Sequence, residues 1–189
     1  MMTSNKKTTP DVTHYPSVAP VPAIVPEKDN ITHINIYKYS ASELGKLLAP
    51  VTHMPFVHPT LGSFQNLQGF WEWIRSKDRP DALRFASGSR AIGIGRSLVK
   101  IRVDDFEAIF LEASFCRIDQ NQKLRELFLR STLPFDMYFL MDPNNPESLA
   151  QRPGSRDIVV DTFTKLRTMM SFDEMPPGFG NYRRPLSSR

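Results

Sequence analysis

The chain has 189 residues, 40% of them hydrophobic and 23% charged, which suits one domain with a single well-buried core. Its 24 basic and 20 acidic side chains leave a formal net charge of +4, which permits an anionic ligand or partner without demanding one. The single cysteine, Cys116, excludes an internal disulfide, and no run approaches the roughly 18 apolar residues of a membrane span.

Residues 1–30 carry Pro10, Pro16, Pro20, Pro22 and Pro26 among Thr, Ser and Val, and read as an extended, disordered tail. No apolar segment follows Lys6 and Lys7, so no secretory leader is expected. With one cysteine, this points to a reducing, cytoplasmic setting.

The folded body is expected over residues 31–171. "HINIYKY" (33–39) alternates apolar and polar positions like a strand, and "HMPFVH" (53–58) reads as a second strand, at an edge because Pro55 withholds a donor. "GSFQNLQGFWEWIRS" (62–76) has helical spacing with Ser63 as its start. Its expected inward stripe is Phe64, Leu67, Trp71 and Ile74, with Phe70 and Trp73 toward the flanks. Asp104 and Glu107 make a D-x-x-E capping box before a helix that buries Phe106, Ile109, Phe110, Ala113 and Cys116. A further helix is expected over 121–131, with Leu124, Leu127 and Phe128 inward.

"FDMYFLM" (135–141) reads as a third strand, closed by the turn former "DPNNP". The last helix, 156–170, is expected to bury Ile158, Val159, Thr162, Phe163, Leu166 and Met169. From residue 172 the chain reads as a flexible tail in which Tyr182, Arg183, Arg184 and Arg189 offer contacts for a nucleic-acid or protein partner. Short strands with a helical majority define an α+β domain rather than a parallel α/β array.

Few stretches carry recognisable chemistry. "GSRAIGIGRS" (88–97) fails the phosphate-loop spacing at Ile94 and the dinucleotide fingerprint at Leu98. Two readings stay open: a glycine-freed amide turn that holds an anion beside Arg90 and Arg96, or close packing of a helix on its neighbour. His53 and His58 lie five apart, so in one strand they face opposite sides, and no metal site is expected. Cys116 sits on an apolar helix face and reads as a structural thiol.

In order and spacing, these segments resemble the NADAR (YbiA-like) domain family. "INIY" (34–37) is similar to its opening "INFY"-type strand, and "SFQNLQGFWEWIRS" (63–76) to its first site helix. "RFASGSRAIGIGRSL" (84–98) matches its Gly-Arg segment, and "DFEAIFLEASFCRIDQNQKLRELFLRSTL" (105–133) matches its "KF.QN..L...LL.T" helix. "DIVVDTFTKLRTMM" (157–170) stands where a helix ending in Leu-Arg closes the domain. The resemblance covers residues 34–170 and implies a ribose-phosphate or ADP-ribosyl ligand. Family members include N-glycosidases that cleave a ribose–nitrogen bond, chemistry that needs a carboxylate near the anomeric carbon.

The resemblance assigns Arg96 to phosphate, Gly95 to close approach, Gln65 and Gln68 to ribose hydroxyls, and Trp71 or Trp73 to a base. No cofactor or metal is implied. Where the family places its helix glutamate this chain has Phe64, then Gln65; Trp71 or Glu72 stands near the family's lysine; and "DPNNPESLAQRPGSRD" replaces its "D..WG.G" segment. The resemblance therefore implies ligand binding with the catalytic glutamate lost. Two alternatives stay open: an active N-glycosidase using a displaced carboxylate (Glu72, Asp104 or Asp142), or a structural or interaction protein that reuses the fold.

Overall fold

In the computed structural model the described residues are 24–142, 145–151, 153–177 and 179; most of both expected tails, with Tyr182 and the three terminal arginines, lies outside them. Mixed helix and strand forms as expected, but the strands are very short. β1 (Ile34–Asn35) pairs in parallel with β4 (Phe135–Asp136). β2 (Phe56–His58) and β3 (Gly62–Phe64) form a hairpin, and β5 (Phe139–Leu140) pairs antiparallel with β6 (Leu149–Ala150). The helices are α1 (Glu43–Leu48), α2 (Leu67–Ile74), α3 (Ala82–Phe85), α4 (Gly88–Arg96), α5 (Phe106–Asp119), α6 (Gln122–Arg130) and α7 (Pro153–Ser171). No helix among the described residues is long and apolar enough to cross a membrane.

The strand expected over 33–39 shrinks to two residues because the chain turns after Ile36, the Tyr37 amide donating to the Asn35 carbonyl at 2.8 Å and the Ser40 amide to that of Tyr37 at 3.0 Å; Ile34, Asn35 and Ile36 are all buried, without the expected alternation of faces. Asp29 organises the turn around it. One of its oxygens accepts from the Asn35 amide at 2.9 Å; the other accepts from Ser40 Oγ at 2.8 Å and the Ala41 amide at 2.7 Å. Since Asp29 is itself buried, fixed structure begins ahead of residue 31. At the other end Phe179, beyond the expected end of the body at 171, is buried with its ring edge-on to His58 and Phe115. The strand expected over 135–141 is split into β4 and β5.

The segment 62–76 folds differently from its expected form. Ser63 is exposed on β3, and the helix starts three residues later, at Asn66. Asn66 Oδ1 accepts from the Gly69 amide and its Nδ2 donates to the Ala86 carbonyl, both at 2.8 Å. This cap contributes about 1 kcal/mol. Phe64 belongs to the strand, so it does not set the phase of the helix. The buried face of α2 is Leu67, Phe70, Trp73 and Ile74, and Trp71 is only half-buried. The hairpin ahead of it turns on Gly62, whose φ of +82° glycine adopts without steric cost.

α5 is the central element. Residues 113–118 are buried without interruption, so its second half is enclosed on all sides and not on the single face expected, while Glu107 and Ala108 of the first turn are exposed. The Asp104–Glu107 box does not form: Asp105 is the N-cap, without a side-chain cap bond, and Asp104 pairs with Arg102 on the surface at 3.4 Å. Arg117 is fully buried and caps the end of α1, donating to the carbonyls of Leu47, Leu48 (3.0 Å) and Ala49 (3.1 Å). α7 starts at Pro153, a residue suited to a first turn, and buries Met170 where Met169 was expected.

Candidate functional site

A cavity of about 580 Å³ opens between α2, α4, the segment after β1, β5 and the first turn of α7. Glu72 reaches into it from α2. Glu72 Oε1 accepts from Gln68 Nε2 at 2.9 Å, one helical turn back, and its Oε2 pairs with Lys100 Nζ at 2.6 Å. Lys100 is brought there by an antiparallel bridge in which the Lys77 amide donates to the Val99 carbonyl and the Ile101 amide to that of Arg75.

Gly95 of α4 lies directly against this carboxylate: a Cβ there would stand 2.2 Å from Glu72 Oε2. Gly88, in the same helix, lies as tightly against Val51, where a Cβ would meet backbone at 2.4 Å. Gly88 and Gly95 of "GSRAIGIGRS" thus serve close packing, the second of the two readings, whereas a Cβ at Gly93 would meet open space. The amide-turn reading is corrected, since Gly93 and Gly95 lie within a helix whose own carbonyls occupy their amides.

One wall is aromatic. Trp71 packs edge-on to Phe106 at 4.6 Å and to Phe110 at 5.1 Å between ring centres, with the Arg75 guanidinium 5.5 Å above its ring. Past Trp71 and Arg75 a second hollow of about 990 Å³ continues the cleft toward Asp104, Phe106 and Ile158. Four cations line the first cavity: Lys38, Arg75, Arg96 and Lys100. Among the described residues only Lys100 of these has a carboxylate partner. The Lys38 ammonium lies over the Tyr39 ring, 4.4 Å from its centre, and interaction with Tyr39 raises the Lys38 pKa. Three unpaired cations beside one neutralised carboxylate favour an anionic guest.

Of the residues singled out from sequence, Gln68, Trp71, Glu72, Gly95 and Arg96 meet at this cavity. Gln65 does not line it; its backbone bonds to Met54 and Arg84 instead. Trp73 is buried, its Nε1 donating to the Arg79 carbonyl at 2.7 Å. Asp104 lines the second hollow, and Asp142 lines neither. Sequence reasoning missed Lys38, Arg75 and Lys100. They come from three separate segments, and nothing local distinguishes them from surface lysines and arginines.

Two buried titratable groups stand apart from the cavity. His58 Nδ1 faces the amides of Thr60 (3.4 Å) and Leu61 (3.3 Å), so its proton sits on Nε2, which faces Glu112 Oε2 at 3.4 Å. Burial lowers the His58 pKa and raises that of Glu112, each shift opposing charge. A strongly attracting ion pair would shift both the other way, so His58 is neutral. Burial also pushes the Cys116 thiol up to about 12. No group of three or more His, Cys, Asp or Glu among the described residues is placed to hold a metal.

Compared with known proteins, the chain matches no family model, no curated protein and no solved structure.

Proposed function

We propose that this is a divergent NADAR-like domain whose cleft binds a ribose-phosphate or ADP-ribosyl ligand. The observation that carries the reading is the convergence of Gln68, Trp71, Gly95 and Arg96 on one cavity lined by four cations. In this reading Arg96, with Lys38 or Arg75, holds phosphate through charge-assisted hydrogen bonds. Gln68 offers its amide to ribose hydroxyls, and Trp71 offers an aromatic face to a base. Gly95 gives Glu72 its place in the cleft.

The test is calorimetric titration of the full chain with ADP-ribose at low and moderate salt, beside Arg96→Ala. Saturable binding weakened roughly 10- to 150-fold in the variant, the effect of about 1.5–3 kcal/mol per charged hydrogen bond, is the expected result. No heat at millimolar ADP-ribose refutes the reading for this ligand.

One observation favours a second reading, an active N-glycosidase. A carboxylate, Glu72, does stand in the cleft, although Phe64 fills the family's position and is packed in the core. Glu72 lies eight residues beyond Phe64, so it approaches a bound ribose from a different place. Such a carboxylate can stabilise an oxocarbenium-like transition state or activate water. Release of base from a ribosylated substrate, abolished in Glu72→Gln while ADP-ribose binding persists, supports this reading. Equal turnover in the variant refutes it.

A further inference from the structure

A ledge of aromatic side chains runs from the wall of the cleft out to the surface. Tyr37 and Phe139 line the cavity itself and lie 6.3 Å apart between ring centres. Tyr37 then meets Tyr39 edge-on at 5.5 Å, and Tyr39 is 71% exposed. Met141, 73% exposed, continues β5 beyond Phe139. Lys38 joins cleft and ledge: it lines the cavity, and its ammonium lies 4.4 Å from the centre of the Tyr39 ring.

A large exposed tyrosine flanked by other aromatics gains nothing for stability by staying in water, and a solvated face does not require rings in series. Its neighbours are cationic: Lys38, Arg75, Arg96 and Lys100 line the cavity, against the single carboxylate of Glu72. Cations that follow a phosphate backbone, next to rings that accept base faces, are what a single strand of nucleic acid requires. A duplex keeps its base faces stacked inside and cannot use the ledge. An acidic peptide would satisfy the cations but make no use of the exposed Tyr39 ring.

We infer that the Tyr37–Tyr39–Phe139 ledge and the cationic cleft together bind single-stranded nucleic acid, with one nucleotide in the cavity and the adjoining bases on the rings. The inference rests on the anion-holding cleft of the proposed function but not on ADP-ribose as its ligand. It places the nucleic-acid contact on the folded body, not on the arginine-bearing tail.

The test is fluorescence anisotropy on the full chain with end-labelled mixed-sequence 12-mers: single-stranded DNA, single-stranded RNA and blunt duplex DNA, at two salt concentrations. ADP-ribose titrations run in parallel. Tyr39→Ala and Tyr39→Phe are the variants; the side chain is largely exposed, so folding is kept. Expected are single-strand binding at least tenfold tighter than duplex binding, weakening with salt, and a roughly 5- to 150-fold loss in Tyr39→Ala, the range of one lost base stack. Tyr39→Phe should keep the affinity, because the ring face beside the Lys38 ammonium is retained, and ADP-ribose binding should be unchanged in Tyr39→Phe and should persist in Tyr39→Ala.

Equal affinity for duplex, or an unchanged affinity in Tyr39→Ala, overturns the ledge. Failure to bind any 12-mer while ADP-ribose binds overturns this inference alone. Tyr39-dependent binding of the 12-mers without ADP-ribose binding upholds the ledge and overturns the small-ligand reading. Binding of neither overturns both.

Discussion

Two glycines two residues apart in α4 make an internally controlled experiment on the site. An alanine at Gly93 meets nothing within 4 Å, whereas an alanine Cβ at Gly95 falls 2.2 Å from Glu72 Oε2, 2.5 Å from Cδ and 2.8 Å from Cγ. Both substitutions gain helix propensity, worth about 0.5–1 kcal/mol. At Gly93 that gain stands alone. At Gly95 the Glu72 side chain must swing away, giving up its bonds to Lys100 and Gln68.

The Glu72 side chain is 15% exposed and that of Lys100 36% exposed, so solvent screening limits the pair to about 1 kcal/mol. Displacing a packed side chain costs about 1–2 kcal/mol more. Gly93→Ala should therefore stabilise by about 0.5–1 kcal/mol and Gly95→Ala destabilise by about 1–2 kcal/mol. The 2–3 kcal/mol between them corresponds to a gap of about 4–12 °C in Tm for a domain of this size. Urea unfolding followed by circular dichroism measures it. In a Glu72→Ala background the Gly95→Ala penalty should vanish, because the three atoms nearest the new Cβ, Glu72 Oε2, Cδ and Cγ, are all removed. Equal stability of Gly93→Ala and Gly95→Ala in the parent chain refutes the claim that Gly95 exists to admit Glu72.

Three other outcomes follow from buried groups. Arg117→Met should cost about 3 kcal/mol in urea unfolding, since three carbonyls at the end of α1 lose their donor at about 1 kcal/mol each; a loss below about 1 kcal/mol refutes the cap. His58 has a folded pKa below its ordinary 6.5, so on acidification the unfolded chain takes up its proton first and stability falls as pH drops below 6.5. Glu112, raised above 4.5, works in the opposite sense from 4.5 upward; a series of Tm against pH should lose its fall below 6.5 in His58→Asn. Cys116, fully buried and with its pKa pushed up to about 12, should react with a thiol reagent in the native protein only at the rate of unfolding, read by absorbance with and without denaturant.

Helix periodicity was the most legible feature. The apolar spacing of 121–131 and 156–170 located α6 and α7 to within a few residues, because neighbours at i+3 and i+4 share a face wherever the helix finally packs. The site was legible in part: the Gln68, Glu72 and Trp71 cluster and the Gly95–Arg96 pair stood out as residues and do line one cavity. Their roles were less legible. The phase of α2 depended on whether Phe64 belonged to helix or strand, and that was decided by pairing with Phe56 in β2. One wrong residue at the start turned Trp71 inward and Trp73 outward, the reverse of their burial.

By itself, then, the sequence determined a mixed α+β body, the places of its longer helices and the absence of an internal disulfide. All three depend on local spacing or on counting. Tertiary structure alone decided that Lys100 meets Glu72 across 28 residues, that Gly95 makes room for that carboxylate, and that Phe179 returns to cover His58. It also decided that Arg117, a residue type almost always at the surface, lies at the centre of the fold. Such contacts join segments far apart in the chain, and their energy comes from partners that a local window does not contain.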